Sequence, residues 1–230
     1  MNIHEIEQLY IQNHDFIISI DEAGRGPWAG PVTVGAVVVD KQALIRISEL
    51  KTLNDSKKVS SKKRAILEKE IMDIVNSYTV ADIDVSTIDR INILEATKLG
   101  VITCLDKIMS EKLWRAKPII SIGILIDGKF NNLESLIKEL ASFSNIKFEL
   151  NTVIDGDAIC PSISAASILA KEHRDNLMIK LHKEYPEYGF NQHKGYGTKL
   201  HQKRLKMFGP SKIHRKSFKP IKEALLNQIL

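Results

Sequence analysis

Three groups of acidic residues in this 230-residue chain have the types and spacing for metal-assisted chemistry: Asp21-Glu22, Asp127 beside Gly128, and Asp157 in Asp155-Gly156-Asp157. Each lies at an expected element boundary and close to glycine, so acids more than a hundred residues apart could meet at one place. Hydrolysing a phosphodiester needs an activated water, stabilisation of the non-bridging oxygens and support for the leaving 3′ oxygen. Two divalent ions about 4 Å apart supply all three. An all-oxygen ligand set suits Mg²⁺ or Mn²⁺ rather than zinc. A single Asp-Gly is as readily a turn cap, and it is the set of three that points to a site. Neighbours in a strand face opposite ways. Asp21 and Glu22 therefore serve one site only if the chain bends there, which Ala23-Gly24 permits.

Other segments offer contacts to an anionic substrate. Gly24-Arg25-Gly26 follows a strand, but the spacing is GxGxxxG and a strand comes next, so the dinucleotide-binding context fails. Close backbone approach to a sugar or phosphate remains, with Arg25 as a fixed donor fork, and a simple turning loop is the alternative. Residues 55–64 pack Lys57, Lys58, Lys62, Lys63 and Arg64 among hydroxyls at a helix start, a phosphate-contacting pattern or a solvated face. Tyr196 stands between Gly195 and Gly197, where its ring can stack on a nucleotide or be buried. His193, His201 and His214 have spacings that fit no usual zinc helix, and phosphate or leaving-group contacts are expected of them instead. GxSxG, HExxH and Walker A patterns are absent.

These residues need a frame. Residues 2–10 suggest a short helix, and Phe16–Ile20 a strand that leads into Asp21-Glu22. A second strand is expected from Pro31 to Val39, antiparallel to the first across the Gly-rich loop. A helix capped by Ser60 or Ser61 carries Ile66, Leu67, Ile71, Ile74 and Val75. A strand at Tyr78–Ile83, a long helix over 92–114 and a buried strand from Ile119 to Ile126 follow. A helix near 133–141, a strand near 147–153 and a helix from about Pro161 to Glu184 complete the body. Early strands in a meander and later ones alternating with helices predict an α/β fold, a mixed five-stranded sheet flanked by helices. Residues 1–190 are expected to form the body and 191–230 a basic helical extension packed on it.

Charge divides along the same line. The chain carries 33 Lys and Arg against 28 Asp and Glu, a formal net charge of +5. Residues 191–230 hold ten basic residues and one acid, Glu223, leaving the first 190 at −4. A basic tail on an acidic body suggests nucleic acid or another anionic surface. Two cysteines, Cys104 and Cys160, exclude a disulfide scaffold, and Cys104 is expected in the core. No apolar run approaches the ~20 residues of a membrane span, and no secretory signal opens the chain. A cytoplasmic protein without membrane contact is expected.

Several motifs together resemble ribonuclease HII, the type 2 ribonuclease H. They are Ile20-Asp21-Glu22-Ala23-Gly24-Arg25-Gly26-Pro27-Trp28-Ala29-Gly30-Pro31-Val32, Leu53-Asn54-Asp55-Ser56-Lys57-Lys58 and Ile88-Asp89-Arg90-Ile91-Asn92-Ile93. Ser164-Ala165-Ala166-Ser167-Ile168-Leu169-Ala170-Lys171 with Arg174-Asp175 follows, then Lys194-Gly195-Tyr196-Gly197-Thr198 and Gly209-Pro210 to His214-Arg215-Lys216-Ser217-Phe218. They run collinearly from about residue 16 to 218.

The resemblance implies a ribonuclease H-like core. It also implies an endonuclease that cleaves the RNA strand of RNA·DNA hybrids and nicks 5′ of single ribonucleotides in duplex DNA, leaving 3′-hydroxyl and 5′-phosphate ends, as in ribonucleotide excision repair. Asp21, Glu22, Asp127 and Asp157 would be the catalytic, metal-binding acids, holding two Mg²⁺ or Mn²⁺ ions during catalysis. Gly24, Arg25 and Gly26 would recognise the 2′-hydroxyl through backbone groups, the feature that separates RNA from DNA. Tyr196 would pack on the adjacent sugar, and Lys57 and Lys58 would join the substrate-binding set. A monomer is expected. Two departures stand out: Trp28 where leucine is common, and Asp155 where a lysine often precedes Gly-Asp. The second leaves Asp155 as an alternative ligand to Asp157.

Overall fold

A computed structural model describes the chain except for residues 1–2, 51–52, 54–59, 112–113, 115–119, 142–145 and 227–230. Lys57 and Lys58 therefore lie outside the described residues. Helix α1 (Glu5–Asn13) leads into β1 (Phe16–Ala23), β2 (Val32–Val39) and α2 (Lys41–Ser48). Then come α3 (Ser61–Ile74), β3 (Ser77–Ile83), α4 (Val85–Ile91), α5 (Ile93–Met109) and β4 (Ile120–Asp127). Helix α6 (Leu133–Ala141), β5 (Ile146–Val153), the short α7 (Gly156–Ile159) and the 24-residue α8 (Pro161–Glu184) follow. A 3-10 turn at Pro186–Tyr188 precedes α9 (Phe190–His193), α10 (Lys199–Phe208) and α11 (Lys219–Leu226).

The five strands form one sheet in the order β3-β2-β1-β4-β5. β1 pairs antiparallel with β2, and β2 with β3, so the first three strands are a meander. β1–β4 and β4–β5 are parallel, and parallel neighbours require crossovers that return the chain to the same end of the sheet. The mixed five-stranded α/β sheet expected from the sequence is therefore observed.

Both faces of the sheet are covered, which explains why β2 is buried along its whole length. Ile17, Val37, Val39 and Leu125 face a layer that includes Ala165, Ala166 and Leu169 of α8. Ile18, Ile20, Val34, Ala36 and Ile124 face Val101, Leu105 and Ile108 of α5. Alternate residues of one strand thus serve opposite layers. Cys104 is in the core, as expected, with its thiol donating to the Val34 carbonyl at 3.4 Å.

The helix expected over 92–114 is observed as the shorter α5, and α4, which the sequence reading does not include, stands directly before it. Asn92 takes φ 70°, and its side chain accepts from the amides of Leu94 and Glu95, which closes α4 and caps α5 in a single residue. Glu7 of α1 is fully buried and accepts from the amide and hydroxyl of Ser162 at 2.9 and 2.5 Å. The first helix thereby caps the long α8, whose side chains line the site. No described helix is long and apolar enough to cross a membrane.

Candidate active site

The acids converge because β1 and β4 are parallel and in register. Ile20 pairs with Ile126 as the last matched residues, so Asp21 and Asp127 follow at the same end of neighbouring strands. Asp157 arrives from the end of β5. Asp155 takes the left-handed conformation (φ 53°), and α7 then carries Asp157 in its first turn. The Gly156 amide donates to Asp127 Oδ1 at 2.7 Å and ties this turn to β4. Asp21, Glu22, Asp127 and Asp157 all line one cavity of about 360 Å³, together with Gly24, Arg64, Ser167, Lys171 and Tyr196. Asp155 is exposed and outside it. Of the two alternatives the sequence left open, Asp157 is the one in the cavity.

The strand runs straight through Asp21 and Glu22, and the chain turns only after them, in the Ala23-Gly24 step that the sequence reading named. Asp21 pairs with Gly35 and Glu22 with Val34 in an unbroken ladder. The bend follows at Gly24. Both side chains reach the cavity because it lies off the end of the strand, where residues from either face have access.

Burial, then the charges of Glu22 and Asp127, push the Asp21 carboxyl well above the usual carboxylate range; Ser167 and the Glu22 amide act the other way. Glu22 is raised by burial and by Asp127 and Asp157, against the Arg25 guanidinium 3.2 Å away. Two cations on the cavity wall pair with acids that do not line it. Arg64 pairs with Glu172 at 2.5 Å and with Asp175 at 3.3 Å, and Lys171 pairs with Asp175 at 2.5 Å. Buried carboxylates crowded at one place are costly, and a divalent cation relieves that cost. In chemistry the donor set fits such an ion. Among the described residues no three acidic, histidine or cysteine side chains already surround a single point.

The loop after β1 is built from the inside by two arginines. Gly24 takes φ 92°, and a Cβ there would fall 2.0 Å from Arg174 Nε. Arg174 and Arg215 are 1% and 0% exposed, and they spend their donors on backbone carbonyls. Arg215 reaches the carbonyls of Gly24 (2.6 Å), Arg25 (2.9 Å), Gly30 (2.9 Å) and Pro31 (2.9 Å). Arg174 reaches those of Pro31, Ala29 and Lys194 at 2.9, 3.1 and 3.1 Å. With the carbonyls of Gly24 and Arg25 drawn inward, the amides of Arg25 and Gly26 make no hydrogen bond among the described residues. Tyr196 stands against the same loop, its Cε1 3.9 Å from where a Gly26 Cβ would be. Sequence reasoning gave neither arginine a role, because nothing in a residue type separates a buried carbonyl anchor from a phosphate contact.

Trp28 joins the two loops. Its amide donates to the Gly195 carbonyl at 2.8 Å, and its ring so covers Gly197 that a Cβ there would lie 2.2 Å from Cζ2. The larger side chain at this position is thus a packing surface for the Tyr196 segment.

The histidines differ from expectation. His193, His201 and His214 are 7%, 0% and 0% exposed, so they cannot touch phosphate or a leaving group. They pack on one another instead, with the rings of His193 and His201 4.5 Å apart at 13° and His201 Nε2 3.0 Å from His214 Nε2. Burial pulls His201 down to about 4 and His214 to about 3, and lowers His193. An unfolded imidazole titrates near 6.5. As pH falls from about 6.5 towards 4, the unfolded chain therefore binds protons that the folded chain refuses, and stability falls. The raised carboxylates of Asp21, Glu22 and Glu7 act in the opposite sense. We expect His214→Asn to lose less melting temperature than the parent over this window. Equal slopes would remove the histidines from the acid response.

Comparison with known proteins identifies the family. The family model described as ribonuclease HII matches residues 18–221. The ribonuclease HII of Chlamydia pneumoniae is 41% identical over 218 residues, covering 94% of this chain and 89% of its own. That of Chloroherpeton thalassium is 42% identical over 213 residues, covering 93% and 94%. Among solved structures, the ribonuclease H2 of Pyrococcus horikoshii OT3 superposes with a TM-score of 0.71 at 26% identity, covering 92% of this chain and 98% of its own. With the matched span enclosing the acid cavity, the Gly-Arg-Gly loop and the Tyr196 segment, the chain belongs to the ribonuclease HII family and is an endoribonuclease.

Proposed function

We propose that the enzyme hydrolyses the phosphodiester on the 5′ side of a ribonucleotide, both at single ribonucleotides in duplex DNA and along the RNA strand of RNA·DNA hybrids. The observation that carries this reading is that four carboxylates, Gly24 and Tyr196 line one cavity, with the Gly26 backbone beside the Tyr196 ring.

The amides of Arg25 and Gly26 offer two donors at fixed positions to a 2′-hydroxyl oxygen, which a deoxyribose lacks. Loss of that contact leaves polar groups unpaired, so deoxyribose is rejected rather than merely bound less well. Tyr196, 43% exposed, presents its ring to the neighbouring sugar. Asp21, Glu22, Asp127 and Asp157 would hold two Mg²⁺ or Mn²⁺ ions. Bound there, the ions would polarise the phosphoryl group, acidify a water and neutralise charge on the departing oxygen. The protein's own part is to hold carboxylates and sugar so that only the bond 5′ of the ribonucleotide lies over the acids. Hydrolysis then places the water oxygen on phosphorus and a proton on the 3′ oxygen of the preceding nucleotide, giving 3′-hydroxyl and 5′-phosphate ends.

The basic extension suits the substrate's charge. Lys199, Lys203, Arg204 and Lys206 stand on or beside α10, which Thr198 caps next to Tyr196. Phosphate contacts of this kind position a duplex without reading its sequence. We assign residues 1–190 to the catalytic body and 191–230 to this duplex-holding region. Removal of misplaced ribonucleotides from DNA in the cytoplasm is the corresponding cellular role.

The test compares cleavage of a duplex carrying one ribonucleotide, a long RNA·DNA hybrid and an all-DNA duplex in Mg²⁺ and in Mn²⁺. The reading expects products from the first two and none from the third. Cleavage of the long hybrid alone would withdraw single-ribonucleotide recognition.

A further inference from the structure

We propose that His201, oriented by His214, is a positioning residue that fixes Tyr196 against the loop that reads the ribonucleotide. The inference rests on the reading of Tyr196 given above and adds the device that holds it.

Tyr196 needs such a device. Its side chain is half exposed, with little packing of its own, so its orientation depends on how its backbone is held. Its backbone is held by hydrogen bonds: the amide donates to the His193 carbonyl at 2.8 Å, and the carbonyl accepts from the Thr198 amide at 2.8 Å and from His201 Nδ1 at 3.0 Å.

The direction of the last bond is fixed by a chain of donors that begins with one that cannot reverse. The Ser211 backbone amide donates to His214 Nδ1 at 2.9 Å, so a neutral His214 carries its proton on Nε2. That proton points at His201 Nε2, 3.0 Å away, which must therefore accept. The remaining proton of His201 is then on Nδ1 and is given to the Tyr196 carbonyl. His193 is fixed in the same way: the Gly195 amide donates to its Nδ1 at 3.2 Å, and Nε2 donates to the Tyr188 carbonyl at 2.9 Å. Its ring stacks on His201 and Trp28 lies 5.5 Å from the other ring, so the imidazole cannot turn without disturbing both loops. Three buried, neutral rings thus convert the Ser211 amide into a defined orientation of the Tyr196 peptide.

The experiment measures kcat and KM on the single-ribonucleotide duplex for the full chain and for Tyr196→Ala, His201→Leu, His201→Asn and the double variant Tyr196→Ala/His201→Leu, with melting temperature as the check on folding. Misplacing a substrate-contacting group by about 1 Å costs on the order of 10²-fold. His201→Leu should accordingly lose roughly 10- to 100-fold in kcat with KM little changed. Asn places an amide N–H near the position of Nδ1, so His201→Asn should recover most of that loss. In the Tyr196→Ala background the leucine substitution should cost almost nothing more, since the group it positions is gone.

An undiminished cost of His201→Leu in the double variant, with Tyr196→Ala itself impaired, would overturn the positioning role alone. Failure of a folded His201→Asn to recover activity would do the same. Normal activity in Tyr196→Ala would overturn the reading of Tyr196 and the positioning role with it. Should His201→Leu not fold, His214→Asn supplies the test. It keeps an acceptor for the Ser211 amide but removes the Nε2 proton, and it should lower kcat in the same direction, whereas an unchanged kcat would overturn the proposal.

Discussion

Replacing Asp127 by Asn should lower turnover by about 10³-fold or more while the protein still binds duplex. The size follows from the location: an interaction aimed at charge developing in a closed site is worth about 10²–10³ in kcat, and here the lost charge also weakens cation binding. The substitution is nearly isosteric, and its side-chain oxygen can still accept the Gly156 amide now held at 2.7 Å, so the turn carrying Asp157 stays in place. Asp21 is raised partly by Asp127, so removing one charge relieves repulsion between buried carboxylates. The variant should therefore melt at the same temperature as the parent or higher, and bind substrate phosphates at least as tightly. Single-turnover rates and fluorescence anisotropy on one labelled duplex measure both properties. Retained activity would remove Asp127 from the chemistry, and lost binding would make its role structural.

Gly24→Ala should be the most damaging change in the loop. At φ 92° a side chain costs about 1–2 kcal/mol in the backbone alone, and the new Cβ would fall 2.0 Å from Arg174 Nε. Either the loop or the guanidinium must move. Each is tied to the other through the carbonyls of Ala29, Pro31 and Lys194, so the displacement spreads from the first loop to the Tyr196 segment. We expect kcat/KM on the single-ribonucleotide duplex to fall by about 10²-fold, with a larger loss there than on a long hybrid, where many successive sugars offer a 2′-hydroxyl. An equal loss on both substrates would mean that the loop supports the fold without reading the sugar.

Much of this architecture was legible because periodicity reports burial. The long α8 was bounded correctly by Pro161 at its first turn and by the end of its apolar pattern. Helix α2 was overlooked, although Asp40 caps it by accepting from the Ala43 amide at 2.8 Å, because the segment is short and follows a strong strand. Helix α4 escapes the sequence reading for a related reason: it has seven residues and ends at Asn92, where the longer and more strongly patterned α5 begins.

In the site, the acids could be read in advance because strand ends and glycine turns mark where chains converge. Their parallel register turned that expectation into a shared cavity. The histidines and the two arginines could not be read the same way. Their types suggest phosphate contacts, and only burial reveals that Arg174, Arg215, His201 and His214 act on the protein's own backbone. Trp28 belongs with them, since its purpose depends on Gly197, 169 positions away in sequence but directly beneath its ring.

On the proposed function, the four acids and the Gly-Arg-Gly loop select one phosphodiester by the sugar beside it. The most direct measurement is the position and chemistry of the cut in a 5′-labelled duplex with a single ribonucleotide, incubated in Mg²⁺ or Mn²⁺ and resolved at single-nucleotide length. The account predicts one product, ending in a 3′-hydroxyl on the deoxynucleotide immediately 5′ of the ribonucleotide, with the identical all-DNA duplex intact. A cut on the 3′ side, a 3′-phosphate end, or no cleavage in either metal would contradict it.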